Sequence, residues 1–378
     1  MNLSATRTPP AGRALAAAAL LLLAGCPSKT VKEKTRQRAP RAREAPTPKR
    51  PPAAPACTVG PGEVLGSAPL CEASAARVAP WDPATVLVAD NEVHGRLFAF
   101  AVDSKGRLTR PRELKIEAGD HGPVKDIEAL VPVGDRLLLV GSHSRNKRCC
   151  PKKKRRRMQL LAHRGGRLEV VQALKMGNDK WSGRMKSAAA CASKLFTKSV
   201  AAHALVGKVC AALVAADERG RCGCKGPDCP GCHTLNIEGA VAVSGRIWIG
   251  LRAPLVSGKA ALLRLAPLGK RLRFDAAALL DLGGQGVREL APGGARVWGI
   301  AGPPLDSPAC FELWSLEAAG LRHGATLTPD KRRWPLPTSS EGLVVRGGKA
   351  LVLVDGAEGD GGTCAQPSRQ YVVDVSSR

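Results

Sequence analysis

Asp126-Ile127-Glu128-Ala129-Leu130-Val131-Pro132-Val133 runs through Gly134-Asp135 into Arg136-Leu137-Leu138-Leu139-Val140, and the same pattern returns along the chain. Asn236-Ile237-Glu238-Gly239-Ala240-Val241-Ala242-Val243 passes Ser244-Gly245 into Arg246-Ile247-Trp248-Ile249-Gly250. Gly286-Val287-Arg288-Glu289-Leu290 leads to Arg296-Val297-Trp298, and Ser340-Glu341-Gly342-Leu343-Val344-Val345 passes Gly347-Gly348 into Lys349-Ala350-Leu351-Val352. A basic residue follows the marked Glu or Arg by eight positions in every copy, at 136, 246, 296 and 349. Apolar runs flanking a short Gly-containing turn are the signature of a β-hairpin.

A degraded fifth copy begins near Ser74, where Ala75-Ala76-Arg77-Val78-Ala79 leads through Trp81-Asp82-Pro83 to Thr85-Val86-Leu87-Val88-Ala89-Asp90. Further strand-like segments follow the hairpins, such as Arg96-Leu97-Phe98-Ala99-Phe100 and Ala260-Ala261-Leu262-Leu263-Arg264-Leu265. Intervals of 50 and 53 residues separate 238, 288 and 341, the length of a four-stranded propeller blade. The expected fold is all-β, a β-propeller of five blades, and the 110-residue interval from 128 to 238 leaves room for a sixth. Residues 185–216 are Ala-rich and read as a helical insert. Composition agrees: 44% hydrophobic residues supply a core, and 41 Gly and 29 Pro with 12 aromatics suit short strands and turns. Wholesale disorder and a multi-span membrane protein are both excluded.

Asp126-Ile127-Glu128-Ala129-Leu130 followed by Gly141-Ser142-His143-Ser144, and Leu235-Asn236-Ile237-Glu238-Gly239 followed by Gly250-Leu251-Arg252-Ala253-Pro254, resemble the bacterial uncharacterised-domain family 3616 over about residues 70–375. That family resembles the phytase-like propellers. The resemblance supports the propeller and implies no established reaction.

In a propeller the first strand of each blade lines the tunnel and the second returns to the same rim. Glu128, Glu238, Arg288 and Glu341 hold one repeat position and are therefore expected to ring one tunnel mouth. Gly141, Ser142 and His143 are expected near Glu128, Arg252 near Glu238, and Asp355 near Glu341; the first blade brings Asp90, Asn91 and Glu92. Three carboxylates and an Arg converging there suit a hard cation such as Ca²⁺, or acid and base work on a bound ester. The alternative is structural, with Glu to Arg pairs tying blades together. His143 stands out because imidazole titrates near neutral pH. No Gly-x-Ser-x-Gly elbow, His-Glu-x-x-His helix, phosphate loop or dinucleotide fingerprint occurs.

Residues 14–25, preceded by Arg7 and Arg13, form an apolar run too short to span about 30 Å of hydrocarbon and read as a signal-peptide core. Its end, Leu23-Ala24-Gly25-Cys26, resembles the lipobox of bacterial lipoproteins, which implies cleavage before Cys26 and lipidation of its thiol. Pro27-Ser28 stand where an Asp would favour inner-membrane retention, so the outer membrane is expected. The expected organisation is a signal peptide at 1–25, a lipidated Cys and linker at 26–56, and a propeller domain at 57–378 with a basic loop at 145–157 and a helical, Cys-rich insert at 177–234.

The net charge of +26 is concentrated in two of these segments. The Pro- and Ala-rich stretch 27–56 carries +7 and lacks large apolar side chains, so it cannot offset its ordering entropy. Residues 145–157 hold nine basic residues and no acid. Both segments suit anionic lipid or an acidic envelope polymer. The lipobox and the absence of interleaved aromatics argue against nucleic acid.

Twelve cysteines remain beside Cys26, an even number that fits disulfides in an oxidising compartment. By neighbourhood alone Cys57 pairs with Cys71, Cys191 with Cys210, and Cys310 with Cys364, while Cys149 and Cys150 take two different partners. Cys222, Cys224, Cys229 and Cys232 have spacings that also suit zinc. Two functional classes follow: a non-catalytic envelope lipoprotein that binds a ligand or partner at the propeller rim, and a Ca²⁺-assisted esterase or phosphatase of the phytase-like propeller type.

Overall fold

Each repeat folds as a meander because its apolar runs alternate with turns that only a few residue types accept. The hairpin joining Asn236–Val243 to Arg246–Ala253 turns on Ser244-Gly245, both at positive φ, the type I′ geometry that matches strand twist. The computed structural model describes residues 59–60, 62–65, 70–146, 149–150, 152–175, 187–219, 235–269, 272–305, 310–358 and 364–376. The signal peptide, Cys26, the linker, Cys57 and the cluster Cys222, Cys224, Cys229 and Cys232 lie outside the described residues.

Five four-stranded blades follow in chain order. Blade 1 is Ala73–Ala79, Asp82–Asp90, Arg96–Val102 and Leu108–Glu117; blade 2 is Ile127–Val133, Arg136–Gly141, Arg157–Arg164 and Arg167–Lys175. Blade 3 is Asn236–Val243, Arg246–Ala253, Ala260–Leu265 and Phe274–Leu280, with Thr326–Leu327 added in parallel at its outer edge. Blade 4 is Gly286–Gly293, Arg296–Gly302, Phe311–Glu317 and Trp334–Leu336. Blade 5 takes Ser340–Arg346, Lys349–Val354 and Arg369–Asp374, and the N-terminal Glu63–Val64 supplies its outermost strand.

The five inner strands pack in a closed ring, each touching the inner strands of both neighbouring blades. Five separate apolar slabs fill the five blade interfaces, one of them shared with the helical insert. Among the described residues five blades therefore close the ring, and the interval between 128 and 238 holds the helical insert. Within it, helices Ala188–Leu195 and Ala204–Arg219 are joined by the Cys191–Cys210 disulfide. Ser187 caps the first helix by accepting from Ala190 N–H, and Phe196 meets Phe274 of blade 3.

Ring closure rests on the two ends of the propeller. Glu63–Val64 pairs with Arg369–Gln370, Leu65 N–H donates to Ser368 O, and Cys71 is bonded to Cys364. This bond corrects two expected pairings, Cys57 with Cys71 and Cys310 with Cys364; Cys149, Cys150 and Cys310 are disulfide-bonded as well. Proximity in sequence misled there because ring closure brings Cys71, just before blade 1, against Cys364, in the connection before the Arg369–Asp374 strand of blade 5, although the two are 293 residues apart. Among the described residues no helix is long and apolar enough to cross a membrane.

Candidate functional site

All five inner strands carry a β-bulge at the same level, and its position explains the repeat. The ladder skips Ser74, Glu128, Glu238, Arg288 and Glu341, so each of these residues escapes pairing with its hairpin partner. A bulge inserts one unpaired residue and re-aims its side chain, which turns an interior strand position into a site position. Ser74 is the fifth member, and its hydroxyl donates to Ile127 O of blade 2 at 2.5 Å. The expected pairing of Glu128 across from Gly141 is replaced by Ile127 opposite Gly141, with Glu128 in the bulge.

Charges meet at this mouth as a chain across three blades. Arg252 and Arg288 each place Nη1 2.9 Å from the Glu238 carboxylate, and Arg288 Nη2 pairs with Glu341. Arg288 thus ties blade 4 to blades 3 and 5, with its guanidinium over the Phe311 ring. Asn236 Nδ2 donates to Glu238 at 2.8 Å. Glu128 is buried and accepts from a neutral group, Asn91 Nδ2 of blade 1, at 3.3 Å. Burial raises its carboxyl well above the usual range, and Asp126, Glu238 and Glu341 raise it further. Burial likewise lifts Glu341 to about 7 against the pull of Arg288, and lifts Asp355 to about 9, with Glu341, Glu72 and Asp90 adding to it.

Several expected residues serve other ends. Asp90 accepts four backbone N–H groups, from Cys71, Glu72, Glu92 and Val93, so it caps the rim loop and has no free lone pair to offer a ligand. Glu92 is exposed and outside the cluster. His143 is buried in a left-handed conformation, its Nδ1–H donating to Gly141 O at 2.7 Å. Desolvation lowers its pKa to about 4, so it is neutral at pH 7, and the charge it feels is Arg156. Beside it Asp126 accepts from Ser142 and pairs with Arg155 at 2.8 Å, which knits the blade 2 rim together.

Below the mouth, two residues that the repeat pattern did not single out close the tunnel. Arg77 Nε donates to Leu130 O of blade 2 at 2.7 Å, and its Nη2 donates to Ala240 O of blade 3 at 3.1 Å and Leu290 O of blade 4 at 2.6 Å. The same Nη2 lies 3.4 Å from Glu289, and the two side chains are 4% and 0% exposed. A lone Arg in the otherwise small and apolar run Ala75-Ala76-Arg77-Val78-Ala79 was the signal for it. A guanidinium thus stands beneath the mouth and joins three blades.

The residues present do not fit Ca²⁺. That ion takes six to eight oxygen ligands, whereas Glu238 and Glu341 are turned onto Arg288 and Asp90 onto backbone N–H groups. Among the described residues no group of three or more His, Cys, Asp or Glu is arranged to hold a metal.

Among solved structures the chain is similar to a Thermus thermophilus protein provisionally named as an oxidoreductase, glucose dehydrogenase. The identity is 14% over 82% of this chain and 98% of that one, with a TM-score of 0.37. It is also similar to a Bacteroides uniformis protein provisionally named as a 6-phosphogluconolactonase, at 13% identity over 81% and 74% of the two chains and a TM-score of 0.33. At those scores neither likeness bears on the site. No curated protein matches the chain. Residues 114–337, which run from the outer strand of blade 1 through blade 4 and include the bulged Glu128, Glu238 and Arg288, match the family described as "Protein of unknown function (DUF3616)", and the chain belongs to that family.

Proposed function

We propose that this protein is a lipid-anchored component of the cell envelope whose propeller binds a small, neutral, hydroxyl-rich ligand at the tunnel mouth around Arg288, without catalysing a reaction on it. One observation carries the reading: among the described residues, the buried acceptors Asn91 Oδ1, Asn236 Oδ1 and Asp355 Oδ1 find no hydrogen-bond partner, and all belong to the Arg288 network or border it. A buried acceptor left unpaired costs about 1–3 kcal/mol, which a ligand hydroxyl recovers. Arg288 already faces both Glu238 and Glu341, burial raises the Glu128 carboxyl and lifts Asp355 to about 9, and the opposite charges offset one another within the site, so a neutral ligand suits it better than a charged one.

The test is a thermal-shift screen of neutral polyols and sugars against organic anions and amines. Neutral hydroxylated compounds should stabilise the wild type and fail to stabilise Asn236→Ala. Stabilisation by anions alone, or identical shifts in the variant, would discard the ligand class. The metal-assisted esterase reading predicts Ca²⁺-dependent release of nitrophenol from nitrophenyl esters or phosphates, lost in Glu238→Gln. For the anchor, Cys26→Ser should release the protein from membranes or leave an unprocessed precursor, because cleavage and acylation both need the thiol. Retained membrane attachment with a correctly processed N-terminus would defeat it.

A further inference from the structure

The basic run at 152–157 is held in place instead of solvated freely. Lys153–Arg155 form a 3-10 turn whose backbone is fastened on both sides: Lys125 N–H donates to Lys154 O at 3.1 Å, and His143 N–H donates to Arg155 O at 3.0 Å. Arg155 is locked onto Asp126 and Ser144, and Arg145 pairs with Asp217 on the second insert helix. Arg157 donates to His121 O, and Arg156 is half-buried. Cys149 and Cys150, both disulfide-bonded, brace the loop before the turn. Three lysines are left exposed, Lys152, Lys153 and Lys154, and they stand on the rim that carries Glu128. Two ion pairs and several main-chain hydrogen bonds thus hold a concentrated positive patch where like charges repel.

We infer that Lys152, Lys153 and Lys154 are a docking surface for a layer of anionic phospholipid headgroups, turning this rim toward the membrane. Lysine ammonium groups are point charges suited to a plane of phosphates, which needs no fixed bidentate geometry. Nucleic acid is the weaker fit, because residues 145–157 hold no aromatic side chain on which a base stacks. Lys125, half-buried beside the turn, adds to the same field, which is also felt by His94. The inference stands apart from the anchor at Cys26, since headgroup binding by the rim needs no acyl chain.

The experiment uses the full chain carrying Cys26→Ser, with vesicles of phosphatidylglycerol in phosphatidylcholine against phosphatidylcholine alone. Binding should require phosphatidylglycerol and fall steeply with salt. At about fivefold per lysine near an anionic surface, replacing all three with Ser should weaken it roughly a hundredfold. Replacing all three with Arg should restore it, and the melting temperature of both variants should match the parent, because these side chains are exposed. Unchanged binding in the Ser variant, with loss only when the basic residues of 27–56 are replaced, would overturn the inference. Tighter binding to single-stranded DNA than to vesicles at equal salt would overturn it as well.

Discussion

Arg77→Met tests whether one guanidinium bolts the ring of inner strands together. The substitution keeps an unbranched side chain of similar reach but withdraws the donors that three blades share, at Leu130 O, Ala240 O and Leu290 O. Each buried acceptor deprived of its donor costs about 1–3 kcal/mol. Water entering the vacated volume and partial relaxation recover some of this, so the expected loss is about 3–5 kcal/mol, the range for breaking a buried charged contact. For a body of this size 1 kcal/mol moves the melting temperature by about 2 °C, so the midpoint should fall by about 6–10 °C. Glu289→Gln is the control, since it keeps the shape beside Arg77 and leaves all three carbonyl contacts intact; it should cost less than about 1.5 kcal/mol. Urea denaturation followed by far-ultraviolet circular dichroism reads both. A loss below about 1 kcal/mol for Arg77→Met would refute the bolt, and a loss for Glu289→Gln equal to that of Arg77→Met would show that charge pairing, not carbonyl capture, holds the ring.

Gly239 and Gly250 face each other across the blade 3 hairpin, and a Cβ on Gly239 would lie 2.8 Å from Leu290 N and 2.9 Å from Glu289 C, so Gly239→Ala should cost about 1–3 kcal/mol in the urea midpoint. Glu341 and Asp355 titrate higher in the folded protein than unfolded, at about 7 and about 9, so their contribution is present at low pH and is lost as pH rises. Stability should therefore decline from pH 7 to 9, Asp355 contributing up to about 1.4 kcal/mol per unit, and Asp355→Asn should flatten that slope in pH-dependent denaturation. His143 acts in the opposite direction, with its pKa held near 4, so acidification from pH 6.5 toward 4 should destabilise the wild type more than His143→Gln, read as a melting-temperature difference. Replacing Cys191 and Cys210 with Ala should loosen the helical insert by about 3 kcal/mol while the blades keep their protection from amide hydrogen exchange.

The period of about fifty residues, the alternation within each run and the Gly-containing turns were legible in the sequence because a blade is a local meander: its strands pair with neighbours a few residues away, and turn chemistry sets the register. The placement of Glu128, Glu238, Arg288 and Glu341 at one mouth was legible for the same reason, since equal positions in equal repeats must occupy equal places around a ring. Pairing across the ring was not. That Cys71 meets Cys364 depends on how far the blades turn before the circle closes, which no single repeat encodes. Asp90 has the same residue type as a ligand and becomes a cap only because two N–H groups of its own loop, Glu92 and Val93, and two from the segment before blade 1, Cys71 and Glu72, converge on it. Arg77 and Glu289 meet at the tunnel axis, where residues 212 apart approach once the ring is complete. The sequence by itself determined the repeating unit, because it is built from short-range contacts. Tertiary structure alone decided which charges cancel at the centre, because those contacts exist only after the fifth blade has closed on the first.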